Sequence, residues 1–109
     1  MKEEMFKEGQ PRYMTRGISE SLPLGIQIIL WKMVDSLRKV KELDYLQVFE
    51  LEVTGCKEDG TLVQVIKHSQ EQPDYSRVWN TPIIEEGVTG KIYIIDDGAV
   101  ATMLWANEY

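Results

Sequence analysis

The stretch LGIQIILWKMVDSLRKVK at residues 24–41 and the stretch YLQVFELEV at residues 45–53 decide the fold class. Apolar residues in the first recur every three or four positions, which is typical of an amphipathic helix with one buried side. Pro23 stands where the first turn of a helix tolerates proline. The second stretch alternates apolar and acidic residues, as a strand with one buried face does. The predicted core-facing stripe of the helix is Ile26, Ile29, Leu30, Met33, Val34, Leu37 and Val40.

Two hairpins are predicted after the helix. Residues 61–68 return along the first strand after a turn at residues 55–60, where Asp59 precedes Gly60. Residues 91–96 and 99–105 flank Asp97 and Gly98, and an Asp-Gly pair between apolar runs is a strong hairpin signal.

The remaining segments give weaker signals. Residues 12–16 suit a short edge strand that ends at Gly17. Residues 75–84 are ambiguous, because Trp79 favours a strand while Pro82 favours an edge or an irregular path. We therefore expect a single α+β domain at residues 12–109 after a flexible N-terminal arm at residues 1–11. Its architecture is one long amphipathic helix packed on an antiparallel sheet of four to five strands built from two hairpins.

Composition bounds the class of protein. The chain has 109 residues and a net charge of −6, and no apolar run approaches the roughly 20 residues of a membrane span. The start of the chain lacks the apolar stretch of a signal peptide. Cys56 is the single cysteine, which excludes a disulfide within the chain. We therefore expect an acidic cytoplasmic protein without a membrane partner.

Charge is unevenly distributed along the chain. Residues 1–41 contain eight basic and five acidic side chains, a net of +3, whereas residues 42–109 contain four and thirteen, a net of −9. The acidic part would repel a phosphate backbone, so a nucleic-acid partner is not expected. The basic residues Lys32, Arg38, Lys39 and Lys41 are interpreted as a solvated helix face.

Three strings resemble a known family. They are RYMTRGI at residues 12–18, ELDYLQVFEL at residues 42–51 and YIIDDG with the following TMLWANEY at the end of the chain. In these strings the chain resembles the short bacterial proteins catalogued as a domain of unknown function, DUF960. The resemblance implies a cytoplasmic protein of a Gram-positive bacterium and brings no activity, substrate or catalytic residue.

Few residues point to chemistry. His68 is the single histidine, so one chain cannot form a two-histidine metal site, and no metal or other cofactor is expected. We interpret it as a partly exposed structural histidine, with a general base as the alternative. Asp96 and Asp97 are adjacent, but neighbouring strand residues point to opposite faces, and Asp97 has a sufficient role in its turn. Cys56 is interpreted as a passive exposed thiol. Catalysis is therefore left uncertain and not favoured.

A second apolar group on the helix is harder to explain. Leu24, Ile28 and Trp31 lie opposite the core-facing stripe, at spacings of four and three residues. Either residues 12–16, the segment around Trp79 or the C-terminal residues cover them, or they form a surface for a partner. We call these three residues the helix patch.

Two functions follow as hypotheses. The first is an interaction module without catalytic activity that binds a protein partner or a second copy through the helix patch. The alternative is a small-molecule-binding protein or small enzyme that uses His68 with a nearby carboxylate, in a pocket beside Tyr45 or Tyr93.

Overall fold

A computed structural model describes residues 5–55, 59–83 and 86–109. The elements follow the predicted order, with an additional short helix before the long one. In chain order they are β1 (Arg12–Met14), α1 (Arg16–Ser21), α2 (Leu24–Arg38), β2 (Leu46–Gly55), β3 (Leu62–Gln70), β4 (Tyr75–Pro82), β5 (Gly90–Asp96), β6 (Ala101–Trp105) and a 3-10 helix (Ala106–Glu108).

The sheet is mixed and has six strands, in the order β1-β6-β5-β2-β3-β4. The prediction of four to five antiparallel strands is therefore wrong in detail, although the α+β class is confirmed. Strand β1 runs parallel to β6, while the other four pairs are antiparallel. The parallel pair forms because the outer edge of β6 is otherwise open. There Ala101 N–H donates to the Pro11 carbonyl and Thr15 N–H donates to the Met103 carbonyl, both at 3.0 Å.

The edges of the sheet differ from the prediction in two further respects. Residues 75–82 form the regular edge strand β4, and Pro82 stands at its end, where proline is tolerated. Gly17 does not end a strand but lies inside α1. Thr15 is the N-cap residue of that helix, and its hydroxyl accepts the Ile18 N–H at 3.3 Å.

Helix α2 has 15 residues and is shorter than predicted. Pro23 is its N-cap residue, and the helix closes where Val40 N–H and Lys41 N–H both bond to the Leu37 carbonyl. Val40 therefore lies beyond the helix and is 82% exposed, so its place in the core stripe was wrongly predicted. Among the described residues, none of the helices is long and apolar enough to span a membrane.

One face of the sheet packs against the helices. Strand register places Phe49 beside His68 and Ile92 on the helical side, whereas Val48 and Tyr93 point to the opposite side. The core-facing side chains of α2 pack on this helical side. The residues that form the centre of the core are Ile26, Leu30, Val34, Leu37, Phe49, Leu51, Ile66, Ile92, Ile94 and Met103.

The segment before β1 also contributes to this core. Phe6 is fully buried, its N–H donates to Asp96 Oδ2 at 2.7 Å, and its carbonyl accepts from Arg38 Nη1 at 2.6 Å. These bonds hold Phe6 at a φ of 55°, a left-handed conformation that a bulky residue seldom adopts. The segment that we expected to be a flexible arm thus supplies a core residue, and the domain boundary at residue 12 stays a prediction.

Candidate functional site

Helix α2 has two flanks, and different surroundings cover them. Its β1 flank contains Trp31 and Asp35, and Arg12 of β1 closes this side. The Arg12 guanidinium pairs with the Asp35 carboxylate and lies 4.6 Å from the centre of the Trp31 ring. Its β4 flank contains Ile29, Met33 and Ser36, and here a groove separates the helix from the sheet.

This α2–β4 groove encloses about 320 Å³. Its walls are largely apolar, and the charged side chains that line it, Lys32 and Arg77, are exposed. A volume of this size lies at the lower end of the range for small-molecule pockets. The helix provides Ile29, Lys32, Met33, Ser36 and Leu37, Val40 follows it, and the strands provide His68, Tyr75, Arg77 and Trp79.

His68 lies at the bottom of the α2–β4 groove. It belongs to β3 and is 1% exposed, so our interpretation of a partly exposed histidine is wrong. Its ring stacks on Phe49, with centroids 4.4 Å apart and planes 15° apart. The Tyr75 ring meets it edge-on, with the centroids 5.4 Å apart. Contacts with these two aromatic rings therefore fix the ring of His68.

Two buried glutamines fix the hydrogen bonding of His68. The side-chain amide of Gln70 donates to the carbonyls of Glu42 at 3.0 Å and of Pro73 at 2.7 Å. Because both amide hydrogens are used there, the orientation of the amide is fixed, and its oxygen, Oε1, faces Gln47. It accepts from Gln47 Nε2 at 2.7 Å, and this bond connects the two glutamines.

The second glutamine transmits this orientation to the histidine. Gln47 Nε2 also donates to the Asp44 carbonyl at 2.9 Å, so Gln47 Oε1 is left to face His68. The distance from this oxygen to His68 Nε2 is 2.7 Å. A side-chain carbonyl oxygen can only accept, so His68 carries its proton on Nε2 and its Nδ1 is a hydrogen-bond acceptor.

Among the described residues, the ring of His68 has one hydrogen bond, at Nε2, and none at Nδ1. His68 is fully buried, and it is one of the residues that line the α2–β4 groove. The groove thus has an apolar lining with one fixed acceptor at its base.

Burial lowers the pKa of His68 to about 4 from its ordinary 6.5, because the charged imidazolium is poorly solvated there. The hydrogen-bond partner of the ring is an amide, not a carboxylate, and it does not stabilise a positive charge as a carboxylate would. The imidazole is consequently neutral at physiological pH. It is suited to accept a hydrogen bond from a ligand and poorly suited to hold a proton.

The three residues of the ligand-binding hypothesis are not brought together. Tyr93 pairs with Val48 and so lies on the face of the sheet opposite His68. It contacts the Tyr109 ring there, with centroids 5.7 Å apart. Tyr45 precedes β2, is about half exposed and does not line the α2–β4 groove.

The helix patch is covered in part. Leu24 is 61% exposed and Ile28 is 46% exposed. Trp31 is half-buried, packs against the core and is covered by Arg12, which belongs to one of the segments proposed as a cover. The patch therefore persists at the start of α2 and ends at Trp31.

The carboxylates near the turns have local partners. Asp96 accepts hydrogen bonds from Phe6 N–H, Gln10 Nε2 and Gly98 N–H, and Asp97 accepts from Ala99 N–H and Val100 N–H. The prediction of a turn role for Asp97 is confirmed. Over residues 5–55, 59–83 and 86–109, no three His, Cys, Asp or Glu side chains are grouped as metal ligands. Cys56 lies outside the described residues.

Sequence reasoning missed Gln47, Gln70 and Arg77. The available signal was the alternation in β2 and β3: Gln47 shares the parity of Phe49, and Gln70 shares the parity of Ile66 and His68. A glutamine on the apolar side of a strand indicates a buried amide that needs partners.

Comparison with known proteins gives the lineage of the chain. A protein of unknown function from Enterococcus faecalis, whose crystal structure is known, is 26% identical in sequence. The superposition of the two structures covers 99% of this chain and 98% of the other chain, with a TM-score of 0.76. No curated protein matches the chain. The family model described as "Staphylococcal protein of unknown function (DUF960)" matches residues 11–108. The resemblance inferred from the three strings is thereby confirmed, and the chain belongs to this DUF960 family.

Proposed function

We propose that the protein binds a small, largely apolar molecule in the α2–β4 groove. The observation that carries this proposal is the fixed acceptor, His68 Nδ1, at the base of an apolar cavity. Ligand sites combine apolar walls with a few well-placed polar groups that orient the ligand. A hydroxyl or N–H group of the ligand would donate to Nδ1, whose position is held by Gln47, Phe49 and Tyr75.

The same geometry favours binding over catalysis through His68. A general base works best when its pKa lies near the working pH, and burial takes the pKa of His68 down to about 4. The carboxylate that the enzyme hypothesis requires is replaced by the Gln47 amide. We therefore assign His68 the role of a ligand contact.

The single histidine makes a direct test possible. Protein labelled with ¹⁵N in histidine gives one pair of imidazole signals, one from each ring nitrogen. Titration with 1,8-octanediol, an apolar chain with a hydroxyl at each end, is expected to shift the Nδ1 signal and leave the Nε2 signal in place. Only Nδ1 gains a hydrogen bond in this complex.

A matched pair of variants locates the site. Ser36→Phe places a ring in the α2–β4 groove and should abolish the shift. Ser76→Phe places the same ring on β4 but on the other face of the sheet, and should preserve it. The proposal fails if 1,8-octanediol leaves both nitrogen signals unchanged at millimolar concentration, or if the two variants behave alike.

A second candidate function rests on the exposure of Leu24 and Ile28. Neighbouring apolar side chains one helical turn apart favour association with a protein partner or a second copy. Light scattering of the purified protein over a range of concentrations tests self-association. A dimer mass that Ile28→Glu abolishes and Asn80→Glu preserves would support it, since Asn80 is exposed on the far side of β4. A monomer mass at all concentrations would exclude the homodimer.

A further inference from the structure

We infer that the ligand of the α2–β4 groove is an apolar carboxylic acid with a hydrogen-bond donor at its other end, an inference that rests on the proposed function. The first observation is the charge of the lining. The chain has a net charge of −6, yet the charged side chains that line the groove are the cations Lys32 and Arg77. A local excess of positive charge in an acidic protein favours an anionic group at that place.

The second observation is that neither cation has a carboxylate partner among the described residues. Other cations of the chain do have one, as Arg12 pairs with Asp35 and Arg16 pairs with Glu20. The Arg77 guanidinium instead lies 4.1 Å from the centre of the Trp79 ring. Stacking leaves the edge of a guanidinium free to donate to a carboxylate through two N–H groups.

The third observation is the order of groups from the base of the groove to its mouth. His68 is buried at the base, whereas Lys32 and Arg77 are exposed at the mouth. Arg77 is the cross-strand neighbour of His68, so both groups face the same cavity. A ligand with a donor group inside, an apolar middle and a carboxylate outside matches this order.

The size of the cavity limits the length of the ligand. A volume of about 320 Å³ corresponds to roughly ten water molecules at about 30 Å³ each. A chain of about eight carbons with a polar group at each end is therefore an appropriate probe. Short hydroxylated acids fit this description, whereas long-chain lipids exceed it.

Four probes test the inference; they share an eight-carbon chain with a hydroxyl at one end and differ in the group at the other end. They are 8-hydroxyoctanoate, 1,8-octanediol, 8-amino-1-octanol and 8-hydroxyoctyl phosphate, and their dissociation constants are measured by calorimetry at low ionic strength. We expect 8-hydroxyoctanoate to bind roughly five-fold or more tightly than the diol, and the amine to bind most weakly. Added salt should reduce the difference, because the cations at the mouth are exposed.

Variants assign the preference to the two cations. Arg77→Gln and Lys32→Gln should each weaken 8-hydroxyoctanoate several-fold and weaken the uncharged diol less. Lys67→Gln is the control, since Lys67 lies on β3 with its side chain on the opposite face of the sheet and pairs with Glu50. Equal binding of the acid and the amine, or an unchanged acid affinity in Arg77→Gln, would overturn the inference and leave the proposed function intact. Tighter binding of the phosphate would overturn the carboxylate assignment, and absence of binding by all four probes would overturn both.

Discussion

The two flanks of helix α2 face the same sheet, but one is covered by another segment of the chain and the other faces a cavity. On the β1 flank, Arg12 closes over Trp31 and pairs with Asp35. On the β4 flank, Ile29 and Met33 face a cavity instead of another segment of chain. One helix therefore has a side that is completed by its own chain and a side that is left open.

The difference follows from where the described residues before the helix lie. Residues 5–23 pass over the β1 side of the sheet and supply Phe6, Arg12 and Ile18 to the contacts there. At the β4 side, the described residues provide the edge strand and no further layer. Buried polar groups are usually hydrogen-bonded, and Gln47, which is itself bonded to Gln70, accepts the hydrogen bond of His68 Nε2.

The largest expected effect on stability comes from truncating a buried side chain of α2 that packs beneath both flanks. Leu30 is fully buried under the middle of α2, so Leu30→Ala should lower the free energy of unfolding by about 2–5 kcal/mol. Ile28→Ala, which changes an exposed apolar residue two positions away, should change it by less than about 0.5 kcal/mol. Urea unfolding measures both, and similar losses in the two variants would contradict the assignment of the buried side.

A change of pH affects the open flank through His68. The pKa of His68 is about 4 in the folded protein and 6.5 in the unfolded chain, so only the unfolded chain binds this proton between those values. Above pH 6.5 neither state binds the proton, and His68 does not affect the pH dependence of stability. As the pH falls from 6.5 towards 4, proton binding by the unfolded chain lowers the free energy of unfolding by roughly 3 kcal/mol in total. Unfolding of the native chain and of His68→Gln is compared from pH 7 to pH 4.5. Identical pH dependence in the two proteins would show that His68 is not buried as a neutral ring.

The amide network on the open flank is tested by Gln47→Leu. The substitution removes the acceptor for His68 Nε2–H and one of the donors to Gln70 Oε1. Leaving these buried groups without partners should lower the free energy of unfolding by about 1–3 kcal/mol. Gln72→Leu is the control, because Gln72 is exposed. Imidazole ¹⁵N spectra give a second measurement: retention of the proton on Nε2 in Gln47→Leu would argue that the network does not set the tautomer.

The smallest effect is expected on the closed flank. Arg12→Ala removes the pair with Asp35 and the contact with the Trp31 ring, both partly exposed, and should lower the free energy of unfolding by about 0.5–1 kcal/mol. Arg16→Ala removes the exposed pair with Glu20 and should cost less, about 0.3–0.5 kcal/mol. Acrylamide quenching should increase in Arg12→Ala as Trp31 becomes accessible. Unchanged quenching would mean that Arg12 does not cover the ring.

Local patterns in the sequence determined much of the architecture. The helical period placed α2, the alternation around Phe49 placed β2, and Asp97-Gly98 placed the β5–β6 turn. Each of these signals acts over a few neighbouring residues, because side-chain periodicity and turn chemistry are local properties of the backbone. The three family strings are likewise local, and they identified the lineage.

Contacts between distant segments were decided only by the tertiary structure. The parallel pairing of β1 with β6 joins residues about 90 positions apart, and the three-residue strand has no signal that names its partner. The burial of His68 depends on Gln47, Phe49 and Tyr75, which come from two other strands. The groove itself is a gap between α2 and β4. A gap has no sequence pattern, because it arises where segments that are distant in the sequence do not pack against each other. The sequence by itself thus determined the elements and the family, while long-range packing decided where the elements meet and which side of the helix stays open.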